Sequence, residues 1–193
     1  MTLLYLASQS PRRRQLLEQL GYRCAVVDID IAEARAPGED AESYVRRVAR
    51  EKAGAGLMEV AAVPGAVVIA ADTEVVLAER VFGKPADAVS AAAMLRDLSG
   101  QEHEVLTSVW VLTAGGESHA MSRSKVRLAA LCAADIDSYV ATGEAFGKAG
   151  AYAIQGRAAA FVEHLDGSYT GVMGLPLFET AHLLAKHPHL RPA

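Results

Sequence analysis

The chain of 193 residues is long enough for one domain, and its composition, 51% hydrophobic and 22% charged, is that of an ordinary globular protein. Its net charge of −4 argues against a nucleic-acid-binding surface, because such domains are usually basic. The sequence shows no bilayer-spanning apolar run and no signal peptide, so we expect a cytoplasmic protein that binds neither membrane nor nucleic acid. Cys24 and Cys132 stand far apart, which argues against a zinc motif or a disulfide framework.

The N-terminal stretch predicts a short apolar strand over 3–6, a polar loop, and a helix that begins at Pro11 and ends before Gly21. Proline suits the first helical position because its missing N–H would have no partner there, and Ser10 is the natural N-cap. Arginines fill positions 12–14, although the helix dipole favours acids in the first turn. A phosphate or polyphosphate in front of the helix would explain them. Solvated surface charge is the alternative.

The later patterns alternate between strands and helices. Apolar runs and alternations predict further strands over 23–27, 66–71, 103–113 and 118–128. After the strand over 66–71, the chain is expected to continue extended over 74–77. Periodic apolar faces and caps at Asp40 and Asp87 predict helices over 41–57, 88–98, 135–141 and 177–186. A segment punctuated by glycines covers 143–174. The mixture predicts an α/β fold in a single domain.

Two charged residues lie at or beside predicted apolar surfaces. Asp72 follows the buried strand 66–71, where open α/β sheets bind ligands, and a carboxylate there could activate a water or hold a metal. Alternatively, Asp72 caps a turn with Thr73. Lys52 lies on the inward face of the helix over 41–57. It either meets an anion there or extends its ammonium outward to water.

Other candidates are weak when taken singly. Glu33, with Asp28 and Asp30, could supply oxygen ligands to a cation such as Mg²⁺, or could belong to a solvated loop. Lys84 and Lys148 lie in loops and, alone, read as exposed lysines.

Gln155 follows an apolar run and, at a strand end, could offer a donor and an acceptor to a base edge. No P-loop or GxGxxG motif occurs. As a set, the acids Glu33 and Asp72 and the basic residues suit metal-assisted cleavage of a phosphate ester or anhydride. The basic residues of this set are Arg12, Arg13, Lys52, Lys84 and Lys148.

Five motifs follow one another along the chain: LASQSPRR at 6–13, ADT at 71–73, GKP at 83–85, KAGAYAIQG at 148–156 and GSYTGVMGLPL at 167–177. In this order they resemble the Maf family of nucleoside triphosphate pyrophosphatases. The resemblance implies hydrolysis of a nucleoside triphosphate to the monophosphate and pyrophosphate with Mg²⁺ or Mn²⁺. It also implies an elongated α/β fold with a mixed sheet, similar to the inosine triphosphatases, with one domain over 1–193, a cleft between two lobes, and a homodimer.

The resemblance also implies roles for individual residues, of which Glu33 and Lys52 lie outside the five motifs. Asp72 becomes the general base and, with Glu33, a metal ligand. The phosphate site is then lined by Ser8, Arg12, Arg13, Lys52, Lys84 and Lys148. Arg14 matches no motif and keeps its interpretation as surface charge.

Three positions in these motifs differ between branches of the family, and here they are Arg12, Thr73 and Gln155. This set resembles the branch acting on dTTP and UTP, with modified pyrimidine nucleotides as further substrates. Gly147 and Gly171 depart from the usual residues and leave fine substrate preference open. The alternatives are a pyrophosphatase for 7-methyl-GTP or other modified purine nucleotides, and a nucleotide-binding regulator of cell division.

Overall fold

The computed structural model describes residues 4–190 and 192, and these residues form seven strands and six α-helices. The strands are β1 (Leu4–Leu6), β2 (Ala25–Val26), β3 (Val67–Leu77), β4 (Arg80–Phe82), β5 (Glu102–Thr113), β6 (Gly116–Leu128) and β7 (Val162–Asp166). The helices are α1 (Pro11–Gln19), α2 (Ala41–Glu59), α3 (Ala88–Leu98), α4 (Ala133–Val140), α5 (Tyr169–Met173) and α6 (Leu177–Leu184).

The strands form one sheet in the order β2-β1-β3-β5-β6-β7, with β4 beside β3. β1 runs parallel to β2 and β3, whereas β4 is antiparallel to β3 and β7 is antiparallel to β6. The predicted α/β fold with a mixed sheet is therefore confirmed. Among the residues that the structure describes, no helix is both long and apolar enough to cross a membrane.

Local capping chemistry explains why most predicted helix ends are right. The Asp40 side chain accepts a hydrogen bond from the N–H of Ser43 and caps α2, while Asp87 and Ser90 form a capping box before α3. Gly21, with a φ of 83°, lies just beyond the end of α1. The strand predicted over 3–6 is described from Leu4, since position 3 lies outside the described residues.

Two local predictions are wrong, and two elements were not predicted. β3 does not end before Asp72 but continues to Leu77, because its second half pairs with β4 in a hairpin. Asp135 does not open α4: Cys132 is the N-cap, and the Asp135 carboxylate, three residues later, accepts the N–H of Cys132. The segment 143–174 contains β7 and α5. Its strand lacks the alternating pattern that would reveal it, because no residue of β7 is fully buried.

Two compact units divide the chain. The first comprises Met1–Asp72, Thr107–Ser122 and Gly174–Ala193; the second comprises Thr73–Leu106 and Arg123–Met173. Each unit contains its own cluster of buried apolar side chains. In the first unit, Ala49 and Ala53 of α2 share a cluster with Val68 and Ala70 of β3. The single domain with a cleft between two lobes stays a prediction.

Helix α2 lies very close to β3, and to the residue that follows β1, at Gly56. A Cβ added there would come within 2.7 Å of the Ala7 Cβ and 3.0 Å of the Val68 Cγ1. Gly56 therefore sets the depth at which α2 packs. Lys52 precedes it by one helical turn, on the same face of the helix, and so this contact positions the lysine over β3 as well.

Gly56→Ala is expected to destabilise the protein by about 1–3 kcal/mol, the usual cost of overpacking a core. Gly54→Ala is the matched control, because a Cβ at position 54 meets nothing within 4 Å. In a helix interior that change should stabilise by about 0.5–1 kcal/mol. The two free energies of unfolding can be measured by urea denaturation, and equal shifts of the same sign would contradict the proposed close contact.

Candidate active site

Asp72 is a buried carboxylate in the middle of β3. Side chains alternate along a strand, so Asp72 lies on the same face as Val68 and Ala70, the face covered by α2. Asp72 as a whole is only 7% exposed to solvent. Because β3 continues past it in regular pairing, the alternative in which Asp72 caps a turn with Thr73 is wrong, as is its expected position at a strand end.

Lys52 supplies the cation that this carboxylate requires. Its Nζ lies 2.7 Å from the Asp72 Oδ1 and 2.6 Å from the Glu33 Oε1. Lys52 is only 7% exposed, so the alternative in which its ammonium reaches outward to water is wrong. A buried ammonium is tolerated when carboxylates surround it, and here two of them do. Glu33 itself is more open, with a side chain 37% exposed.

Arg13 and Ser8 belong to the same unit as these charges. The Nε of Arg13 donates to the carbonyl oxygen of Gly174 at 2.8 Å, and its Nη1 donates to the Ser8 Oγ at 3.2 Å. Burial lowers the pKa of Arg13 from its ordinary value, while the negative charges of Asp72 and Glu33 act in the opposite direction. The Arg13 guanidinium therefore interacts electrostatically with the same two carboxylates that contact Lys52. We call Ser8, Arg13, Glu33, Lys52 and Asp72 the charged cluster.

The three arginines of α1 have different surroundings. Arg14 forms an exposed ion pair with Glu18 at 2.9 Å, which confirms its interpretation as surface charge. Arg12 is half-buried, and its contact with phosphate stays a prediction. Ser10 occupies the N-cap position but makes no side-chain capping hydrogen bond; its N–H instead donates to the Ser8 Oγ at 3.2 Å.

The charged cluster offers two carboxylates to a cation. Across residues 4–190 and 192, no three His, Cys, Asp or Glu side chains are grouped as a metal site requires. Asp28, one of the acids predicted to help Glu33, accepts a hydrogen bond from Gln9 instead. Mg²⁺ commonly binds through one or two carboxylates plus substrate phosphates. Glu33 and Asp72 thus fit a divalent cation that arrives with a phosphate substrate.

The second unit contains the remaining predicted residues. Thr73 is half-buried, Lys84 is exposed, and the Nζ of Lys148 donates to the Phe146 carbonyl at 3.0 Å. The N–H of Gly150 donates to the carbonyl of Gly83 at 3.3 Å. The structure therefore brings together the two loops that carry Lys84 and Lys148, which lie far apart in the sequence.

Gln155 lies in a turn, so its expected position at a strand end is wrong. The N–H of Gly156 donates to the carbonyl of Ala153 at 2.9 Å, which closes a four-residue turn with Gln155 in its third position. The Gln155 side chain is exposed. Sequence reasoning missed the groups around this turn, Tyr139 and Glu144. Neither residue belongs to a recognisable motif. Nothing local in the sequence therefore predicts that their side chains accept the N–H groups of Ala153 and Arg157.

An α/β fold with a mixed sheet, and a cluster that joins two cations to two carboxylates around the buried pair Lys52 and Asp72, define a protein equipped to handle a charged small molecule. The family model described as Maf-like protein matches residues 3–187. The chain belongs to the Maf family, as its motifs predicted.

Curated relatives with high identity carry one functional name. A protein of Ralstonia nicotianae named dTTP/UTP pyrophosphatase is 54% identical over 192 residues, covering 95% of this chain and 93% of its own. Relatives of the same name from Cupriavidus metallidurans and Xanthomonas axonopodis pv. citri are 53% and 54% identical. These matches cover 95% and 94% of this chain, and 96% and 97% of the relatives.

Proposed function

We propose that this protein hydrolyses dTTP and UTP to the nucleoside monophosphate and pyrophosphate. The observation that carries the proposal is the identity of about 54% to relatives named dTTP/UTP pyrophosphatase, which extends over nearly the whole chain. The charged cluster supports the proposal independently of that name. It combines a carboxylate suited to accept a proton with cations suited to a polyphosphate.

Asp72 acts as the general base. Its carboxylate takes a proton from a water molecule, the water oxygen forms a bond to the α-phosphorus, and the bond from that phosphorus to the bridging oxygen breaks. Pyrophosphate leaves with the bonding electrons. Lys52 donates to Oδ1 of Asp72 at 2.7 Å and so fixes the orientation of the carboxylate. A base that is already oriented pays no ordering cost during the reaction.

The remaining cluster residues handle negative charge. Arg13, held by Ser8 and by the carbonyl of Gly174, presents a guanidinium of fixed orientation to phosphate oxygens. The residues that would hold Mg²⁺ or Mn²⁺ are Glu33 and Asp72, and the ion would offset the charge of the triphosphate. Arg12, Lys84 and Lys148 are further phosphate contacts in this proposal.

Gln155 recognises the base, together with Thr73 and Arg12. Thymine and uracil present an acceptor, a donor and an acceptor at O4, N3–H and O2. A glutamine amide matches two neighbouring groups of this pattern, because it carries both a carbonyl oxygen and an NH₂ group. A homodimer and a cytoplasmic location stay predictions.

A panel of triphosphates tests the proposal directly. The protein is incubated with dTTP, UTP, dCTP, dATP, dGTP and 7-methyl-GTP, with Mg²⁺ or with Mn²⁺, and pyrophosphate is measured against orthophosphate. We expect pyrophosphate from dTTP and UTP at the highest kcat/KM. Preference for 7-methyl-GTP would indicate the purine branch. Nucleotide binding without turnover of any substrate would indicate a regulator.

A further inference from the structure

The turn that carries Gln155 is held at both ends by side chains. At the first residue of the turn, the hydroxyl of Tyr139 in α4 accepts the N–H of Ala153 at 3.0 Å, within the core. After it, the Oε2 of Glu144 accepts the N–H of Arg157 at 2.8 Å. The Gln155 side chain is exposed, so no surrounding packing holds its amide in place. Its position is therefore set by the main chain of the turn.

Glu144 and Gly156 fit each other closely. A Cβ added at position 156 would lie 2.1 Å from the Glu144 Oε2 and 2.9 Å from its Cδ. The carboxylate therefore fills the space that any other residue at 156 would need. Gly156 has a φ of −106°, which any residue can adopt, so the obstacle to a larger residue at 156 is the Glu144 carboxylate, the end of a side chain that can move aside.

Tyr152, which directly precedes the turn, forms a hydrogen bond with His103. His103 Nε2 and the hydroxyl of Tyr152 are 2.8 Å apart, and both side chains are buried. Burial lowers the pKa of His103 to about 4 and raises the pKa of Tyr152 above its usual range. Neither group carries charge near neutral pH, so this hydrogen bond joins two neutral side chains. Glu144 is thus the one charged side chain among those shown to hold the turn.

We propose that Glu144 is a positioning residue for base recognition, and that it fixes, through the N–H of Arg157, the turn that presents Gln155. The inference rests on the proposed function, in which Gln155 reads the pyrimidine. A turn ordered before the nucleotide arrives spares the binding step the entropic cost of ordering it.

Three variants test this role. In Glu144→Ala the acceptor is lost, and we expect KM for dTTP and UTP to rise about tenfold while kcat changes less than about threefold. The preference for dTTP over dATP should fall by a similar factor. Glu144→Gln keeps an oxygen that can accept the same N–H, and should stay close to the parent. In Gly156→Ala the new methyl group displaces the carboxylate, so this variant should behave like Glu144→Ala.

The matched control is Glu163→Ala, which removes an exposed glutamate of the same unit that pairs with Arg127. It should leave KM and base preference unchanged. Combining Glu144→Ala with Gly156→Ala should be no worse than either alone, because both remove one contact. Hydrogen exchange at the Arg157 amide should be faster in both single variants and parental in Glu144→Gln.

Several outcomes would overturn the role of Glu144. One is a Glu144→Ala protein with parental KM, base preference and Arg157 exchange. Another is a Glu144→Gln protein as impaired as Glu144→Ala. If Glu144→Ala fails to fold, the other two variants still test the role of Glu144. Glu144→Gln should have the KM and base preference of the parent, whereas Gly156→Ala should have a raised KM and a weaker base preference. A parent protein that releases no pyrophosphate from dTTP or UTP would overturn the proposed function itself, which is a separate result from the same panel.

Discussion

Asp72→Asn is expected to lower kcat for pyrophosphate release from dTTP and UTP by ~100- to 10,000-fold, the range that general-base help usually supplies. An amide cannot take the proton of the attacking water. The substitution keeps size and shape, and the amide oxygen can still accept the hydrogen bond that Lys52 donates to Oδ1. We therefore expect the variant to fold and to bind nucleotide. Turnover at saturating dTTP and nucleotide affinity by calorimetry provide the two measurements.

The control for this substitution is Asp97→Asn, which changes an exposed aspartate paired with Arg80. It should leave kcat unchanged, since exposed ion pairs contribute little. If Asp72→Asn turned over dTTP at a rate close to the parent, Asp72 would not be the base. A loss of nucleotide binding in parallel with turnover would instead assign Asp72 to binding.

Local chemistry made much of the fold predictable. Asp40 and Asp87 are caps that act on the residues immediately after them, so the sequence alone reveals the starts of α2 and α3. The apolar run before Asp72 likewise announces a buried strand. The continuation of that strand to Leu77 depends on pairing with β4, which no local pattern reports. β7 was not predicted for the same reason: it is a largely exposed strand, defined by its pairing with β6 and not by a local apolar pattern.

The sequence pointed to the residues of the charged cluster but not to the contacts between them. Lys52 on an inward helix face left open a buried anion or an ammonium extended to water, and nothing in the sequence identified the anion as Asp72, twenty residues away. The carbonyl of Gly174 that holds Arg13 is main chain and carries no residue signature. Motif resemblance predicted the family, and this is confirmed. The roles of individual residues stay predictions, because similarity of motifs does not measure what each side chain does.

The interaction between Lys52 and Asp72 predicts the largest change in stability. Their side chains are 8% and 9% exposed, so removing the ammonium leaves a buried carboxylate without its nearest cation. Lys52→Met keeps most of the apolar stem of the lysine and should cost about 3–5 kcal/mol in the free energy of unfolding, the usual penalty for breaking a buried ion pair from one side. Urea denaturation measures this cost.

Adding Asp72→Asn to Lys52→Met removes the stranded charge, so the double variant should be more stable than Lys52→Met alone. That order follows from desolvation: a buried charge without a partner costs more than the pair contributes. Lys125→Met is the matched control, because Lys125 forms an exposed ion pair with Glu102 and should cost less than about 1 kcal/mol. Additive losses for Lys52→Met and Asp72→Asn would mean that the two side chains do not interact in solution. A double variant more stable than Lys52→Met would instead show that the cost of Lys52→Met comes from the buried Asp72 carboxylate left without its cation.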